Sequence, residues 1–153
     1  MFEQKKEDMY FRAPTRLDEY LKPPLDMRVG KSAVGNSFEP DMFGPSFWFT
    51  LHNGAAAYPE QPTPQIQQGM KMFIMGLPVM IPCTLCKEHA FEYIRNHDLN
   101  YETSSRERLF RFFNRFHNFA NARFNKRAMP LTEAKQLYGF GSVRGGRMRI
   151  TYS

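Results

Sequence analysis

Apolar residues recur at helical spacing from about residue 43 to residue 138, and no segment alternates over the length of a strand. A first helix is expected to follow Gly44 and Pro45. Phe47, Leu51 and Ala55 lie at i, i+4 and i+8, with Trp48 and His52 as a second stripe beside them. Tyr58-Pro59 closes it. Thr63-Pro64 then reads as an N-cap followed by proline at the first helical position. The helix it opens carries Ile66, Met70, Phe73 and Ile74 on one side and should weaken near Gly76 and Pro78. A third helix starts just after Pro82, at the cysteines, and runs to about Asn96. Ser104 and Glu107 have the spacing of a capping box for a fourth. Its apolar face is Leu109, Phe112, Phe113, Phe116, Phe119 and Ala120, with Arg108, Arg111 and Arg115 opposite. A short fifth helix spans Leu131 to Tyr138 and ends at Gly139 and Gly141. The expected fold is all-α, a four-helix bundle plus a short fifth helix.

The flanks differ in character. Residues 1–42 are rich in charge and proline (Pro14, Pro23, Pro24, Pro40) without sustained periodicity. They are expected to form an extended or disordered arm, with one short helix near Leu17 to Leu21. Residues 43–140 form the folded domain, and 141–153 a basic tail with Arg144, Arg147 and Arg149. At 153 residues this is one domain with a tail or two. The net charge of +6 favours acidic partners without identifying one. Charged residues at positions 3 to 8 leave no room for a signal peptide's apolar core. The run from Met72 to Ile81 is too short to span a bilayer. A soluble, cytoplasmic protein is expected, with no membrane partner.

The 2 cysteines, Cys83 and Cys86, are three positions apart, which is no disulfide scaffold. On a helix both sulfurs face one way, within bridging distance. A helix N-terminus favours the thiolate, the species that attacks disulfides. A redox pair is therefore chemically sensible, but His89 and His97 also lie near enough to complete a zinc site on paper. Incidental thiols are a further reading. A thioredoxin-like domain is disfavoured because no βαβ pattern surrounds the pair.

Polar residues on apolar faces supply the second clue. Trp48 and His52 are one turn apart, and taken alone they suit a core tryptophan beside a locally satisfied histidine. His117 and Asn121 repeat the arrangement, with Asn118 and Lys126 nearby. Two such stripes in a chain with one cysteine pair suggest a flat ligand held between helices. The segment Arg144-Gly145-Gly146-Arg147 leaves open a rival, a basic helical nucleic-acid-binding module. A zinc-stabilised structural protein is a third possibility.

Taken in order, Gly44-Pro45-Ser46-Phe47-Trp48 through His52, Tyr58-Pro59 with Pro62-Thr63-Pro64, Pro82-Cys83-Thr84-Leu85-Cys86, and His117-Asn118-Phe119-Ala120-Asn121 with Lys126 resemble the Erv/ALR family of FAD-linked sulfhydryl oxidases. The resemblance covers about residues 43–126 and implies a cone-shaped bundle with FAD at its mouth. Carried over by position, Trp48 and His52 would contact the cofactor from the first helix, and His117, Asn118 and Asn121 from the fourth. Lys126 would approach the adenosine or phosphate end, and Gly44, Phe124 and Tyr138 would complete the surroundings. Cys86 would lie against the flavin C4a, while Cys83 would exchange with substrate; no metal is implied. The resemblance also implies a homodimer through the first two helices, with molecular oxygen as acceptor and hydrogen peroxide as product. The chain departs from many relatives. It has no shuttle cysteine pair, Ile94 replaces a structural cysteine, Pro45 stands where some have Arg, and Tyr138 is the nearest counterpart of a C-terminal Trp. A protein dithiol substrate, or a separate thioredoxin-like shuttle protein, must then reach Cys83 itself. Nucleic acid is not an expected partner on this reading. The compact form resembles versions encoded by large cytoplasmic DNA viruses, acting in host cytoplasm or virion.

Overall fold

The computed structural model describes residues 39–141. The expectations for the N-terminal arm before residue 39 and for the basic tail after residue 141 lie outside them. Among the described residues there are six helices and no strand: α1 (Pro40–Ala56), α2 (Pro64–Met80), α3 (Thr84–Arg95), α4 (Leu99–Glu102), α5 (Arg106–Arg123) and α6 (Leu131–Leu137). The expected fourth and fifth helices are α5 and α6. The fold is all-α, as the spacing of apolar residues predicts.

Two prolines are carried differently from expectation. α1 begins at Pro40 rather than after Pro45, and Pro45 sits inside it. Proline lacks an N–H and so forgoes one bond, to the carbonyl four residues back, which here is that of Asp41 near the helix start. Pro40 occupies the first turn, where a missing N–H costs nothing. α2 likewise does not stop near Gly76; it runs through a buried Pro78 to Met80. Its start follows expectation, with Thr63 Oγ1 accepting from the Ile66 N–H at 3.3 Å.

Between α3 and α5 the chain makes α4, a single turn capped by Asp98, whose Oδ1 accepts from the Asn100 N–H at 2.9 Å. Four residues are too few to carry a periodic signal. The cap of α5 is Ser105, not Ser104: Ser105 Oγ accepts from the Arg108 N–H at 3.3 Å. Ser104 instead donates to the Tyr101 carbonyl, and Glu107 bonds Arg111 and Lys135 rather than reaching back.

α5 is the axis of the molecule and packs against α1, α3, α4 and α6. Leu109, Phe112, Phe113 and Phe116 are buried on it as expected, and so is Phe110, which the helical pattern leaves off the core face. Phe110 is covered because α1 and α6 wrap that side, bringing His52 to 5.5 Å and Phe140 to 4.8 Å between ring centroids. Each buried ring contributes about 1.5–3 kcal/mol by leaving water. Gly139, at φ 62°, lets the chain reverse after α6 so that the Phe140 N–H bonds the Lys135 carbonyl. Buried hydroxyls are paired: that of Tyr58 donates to the Thr103 carbonyl and that of Tyr93 to the Phe112 carbonyl. Glu102 takes the Arg115 guanidinium at 2.6 Å.

Candidate functional site

Cys83 and Cys86 are joined by a disulfide, with Cα atoms 5.2 Å apart. Pro82 keeps the preceding backbone extended, so Cys83 falls at the N-cap of α3 and Cys86 in its first turn. Cys83 Sγ accepts from the Cys86 N–H at 3.2 Å, so the pair itself satisfies one of the free donors at the helix start. Both cysteines are half-buried against the core.

One of the two sulfur residues, Cys86, lines a cavity of ≈ 330 Å³ bounded by α1, α3 and α5; Cys83 does not. The walls are aromatic. Trp48 stacks on His117 at 4.3 Å and 9° between planes, and Phe47 and Phe116 stand edge-on to Trp48, both at 5.1 Å. Gly44 is buried, yet a Cβ built there would meet nothing within 4 Å beyond its chain neighbours and its own helix backbone. The space beside it is the cavity.

The expected site residues divide into two groups. Gly44, Trp48, Cys86, His117, Asn121, Phe124, Lys126 and Tyr138 all line this one cavity. Cys83, His52 and Asn118 do not. His52 is fully buried behind the wall, 0% exposed, with its Nε2 3.1 Å from His117 Nδ1 and Tyr138 stacked on it at 4.5 Å. Asn118 is occupied elsewhere: its Oδ1 accepts from the Met129 N–H at 2.8 Å and its Nδ2 donates to the Met129 carbonyl at 2.9 Å. It clamps the loop after α5 rather than facing the opening.

Charge is arranged around the aromatic wall. Lys126 reaches the cavity and pairs with Asp41 from the start of α1. Arg123 lies 3.5 Å over the Phe119 ring and pairs with Glu92 at 3.1 Å. Burial, and secondly His117, push His52 down to about 4; burial, and secondly Lys126, do the same to His117. Both imidazoles are neutral at pH 7.

Reasoning from sequence missed several lining residues, among them Phe43, Phe49, His89 and Arg123. His89 is three positions after Cys86 on the same helix and so shares its face, a signal that its reading as a zinc ligand obscured. Among the described residues no group of three or more His, Cys, Asp or Glu could hold a metal ion. His97 Nδ1 is directed to the Tyr93 carbonyl at 2.7 Å.

A cysteine pair with one residue on an aromatic cavity and basic groups at its rim can, once its disulfide is reduced to the dithiol, pass two electrons to a planar, anionic ligand. Comparisons with known proteins agree with that chemistry. A family model described as Erv1 / Alr matches residues 45–139. Protein 096R of Invertebrate iridescent virus 3 is 45% identical over 102 residues, covering 67% of each chain. The FAD-linked sulfhydryl oxidase of African swine fever virus is 32% identical over 96 residues, covering 63% of this chain and 79% of that one. The solved yeast Erv1 core superimposes with a TM-score of 0.62 at 26% identity, covering 87% of this chain and 98% of that one.

Proposed function

The chain belongs to the Erv1/Alr family, and from that premise we propose that it is an FAD-linked sulfhydryl oxidase, converting pairs of protein thiols to disulfides through Cys83–Cys86. The observation that carries this is the asymmetry of the pair: Cys86 lines the aromatic cavity and Cys83 does not. The overall reaction is 2 R–SH + O2 → R–S–S–R + H2O2.

The residues present fit the cofactor. The cavity has flat aromatic walls, room beside Gly44 and basic groups for phosphates. Trp48, Phe116 and His117 would hold the ring system, Asn121 its polar edge, and Lys126 and Arg123 the phosphates, with Phe124 and Tyr138 closing the sides.

In the reductive half, a substrate thiolate attacks Cys83 Sγ, the sulfur away from the cavity. The Cys83–Cys86 bond breaks, and Cys86 leaves as a thiolate in the first turn of α3, where the helix N-terminus stabilises it. A second substrate thiolate attacks the substrate sulfur of the mixed disulfide, releasing the substrate as a disulfide and Cys83 as a thiolate, which takes up a proton given up by the substrate thiols. Two electrons now rest on the pair, with Cys86 on the cavity side. FAD, when bound, accepts such a pair of electrons and hands it to oxygen.

The partner is a protein dithiol or a thioredoxin-like carrier, since the chain's 2 cysteines are both in the reacting pair. Exposed apolar residues on α1 and α2, among them Phe49, Ile66 and Phe73, support a homodimer through these helices. No helix of the described residues is long and apolar enough to cross a membrane. The two relatives named above are viral, in keeping with a viral form that acts in the cytoplasm. The test is direct. The purified protein should be yellow, carry one FAD per chain and consume oxygen with dithiothreitol. Cys83→Ser and Cys86→Ser should each cut turnover more than about 100-fold while the colour remains. A colourless protein that leaves oxygen untouched would refute the reading.

A further inference from the structure

We infer that His52 is a positioning residue: its Nε2–H donates to His117 Nδ1, fixing His117 as the Nε2–H tautomer, so that the cavity presents a hydrogen-bond donor to an acceptor atom of the cofactor. The inference rests on the FAD reading above and deepens it.

It follows from where the polar atoms of two rings lie. His52 Nε2 and His117 Nδ1 are 3.1 Å apart, so one proton lies between them. Either His52 donates it or His117 does. If His117 donated from Nδ1, neutral His52 would have to carry its own proton on Nδ1. That atom is buried and has no partner. A buried N–H without an acceptor is among the rarest defects of folded proteins, because it forfeits a full hydrogen bond; a bare nitrogen lone pair in the same place is tolerated better. His52 therefore carries its proton on Nε2 and leaves Nδ1 bare. His117 must accept at Nδ1 and carry its proton on Nε2. Burial keeps both rings neutral, so no second proton blurs the choice.

The surroundings hold this geometry. Tyr138 stacks on His52 from one side and Phe110 packs against it, while Trp48 stacks on His117 at 9°. Neither imidazole is free to flip without displacing a ring. His117 lines the cavity, whereas His52 does not. The effect of His52 on a bound ligand thus passes through His117 and through which of its nitrogens holds the proton.

The experiment is long-range 15N–1H correlation on FAD-loaded protein labelled at its 4 histidines, with FAD affinity measured in parallel. Wild type should show both His52 and His117 as Nε2–H tautomers at pH 7. His52→Leu removes the donor: His117 should become a tautomer mixture and the FAD dissociation constant should rise about tenfold, the loss of one hydrogen bond. His52→Gln, whose amide N–H stands where Nε2–H stood, should restore both. Wild-type His117 protonated at Nδ1 would overturn the inference, as would a His52→Leu variant unchanged in tautomer and in FAD binding. Should His52→Leu fail to fold, the wild-type spectrum decides alone. A protein that takes up no FAD refutes the oxidase reading instead, and its histidine tautomers still decide this one.

Discussion

At the scale of single residues, the structure separates side chains that one sequence motif runs together. His117, Asn118 and Asn121 are near neighbours in the chain, yet only His117 and Asn121 line the cavity. Asn118 spends both ends of its amide on Met129. Asn118→Ala should therefore cost about 1–3 kcal/mol of stability by leaving the Met129 N–H unpaired, the Met129 carbonyl keeping its bond from Asn114 Nδ2, read as a lower denaturant midpoint. Its effect on FAD affinity should be the smaller one. The histidine pair gives a pH dependence of known sign. Both side chains titrate near 4 in the folded chain against an ordinary value of 6.5, so the unfolded chain binds more protons between those values. Their contribution to stability is complete above about pH 6.5 and is lost as pH falls towards 4. Melting temperatures recorded at pH 7.5, 6, 5 and 4.5 should fall in that order, and replacing His52 with Gln should flatten the decline. None of this was legible beforehand, because the contact between His52 and His117 joins positions 65 apart. Spacing along a chain reports faces of one helix, never which two faces meet.

At the scale of elements, periodicity located every helix long enough to have a period. The boundaries of α2 and α3 at their starts were readable because Thr63-Pro64 and Pro82-Cys83 are strong local signals. Thr63→Ala should cost about 0.5–2 kcal/mol, measurable by chemical denaturation, since the Thr63 hydroxyl accepts from the Ile66 N–H. Pro45 and Pro78 misled because the loss of one intrahelical bond is a local penalty, and packing against α5 and α3 outweighs it. Phe110 was missed for the opposite reason. A helix with neighbours on several sides buries more than one stripe, and the pattern of a two-layer protein understates its core. Phe110→Ala should be among the most damaging substitutions outside the site, at about 3–5 kcal/mol.

At the scale of the whole molecule, α5 organises the fold, and the site forms where α1 and α3 lean on it. Ile66 and Phe73 of α2 are exposed and do not line the cavity, so assembly through them and catalysis should be separable. Ile66→Asp with Phe73→Glu should convert a dimer to monomers in sedimentation equilibrium while leaving the yellow colour. A wild-type chain that sediments as a monomer at micromolar concentration would remove the dimer from the reading. The disulfide has one more consequence at this scale. With 2 cysteines in the chain, both in the same bond, acid quenching followed by a mass-tagged maleimide can add no label to the oxidised form and two to the reduced form. A molecule caught in mid-exchange would take one label on Cys86, another on the client's second thiol, and carry its client's mass besides. Intact mass spectrometry of protein drawn straight from cells would thus count the states of the cycle one molecule at a time, and the trapped clients would name themselves.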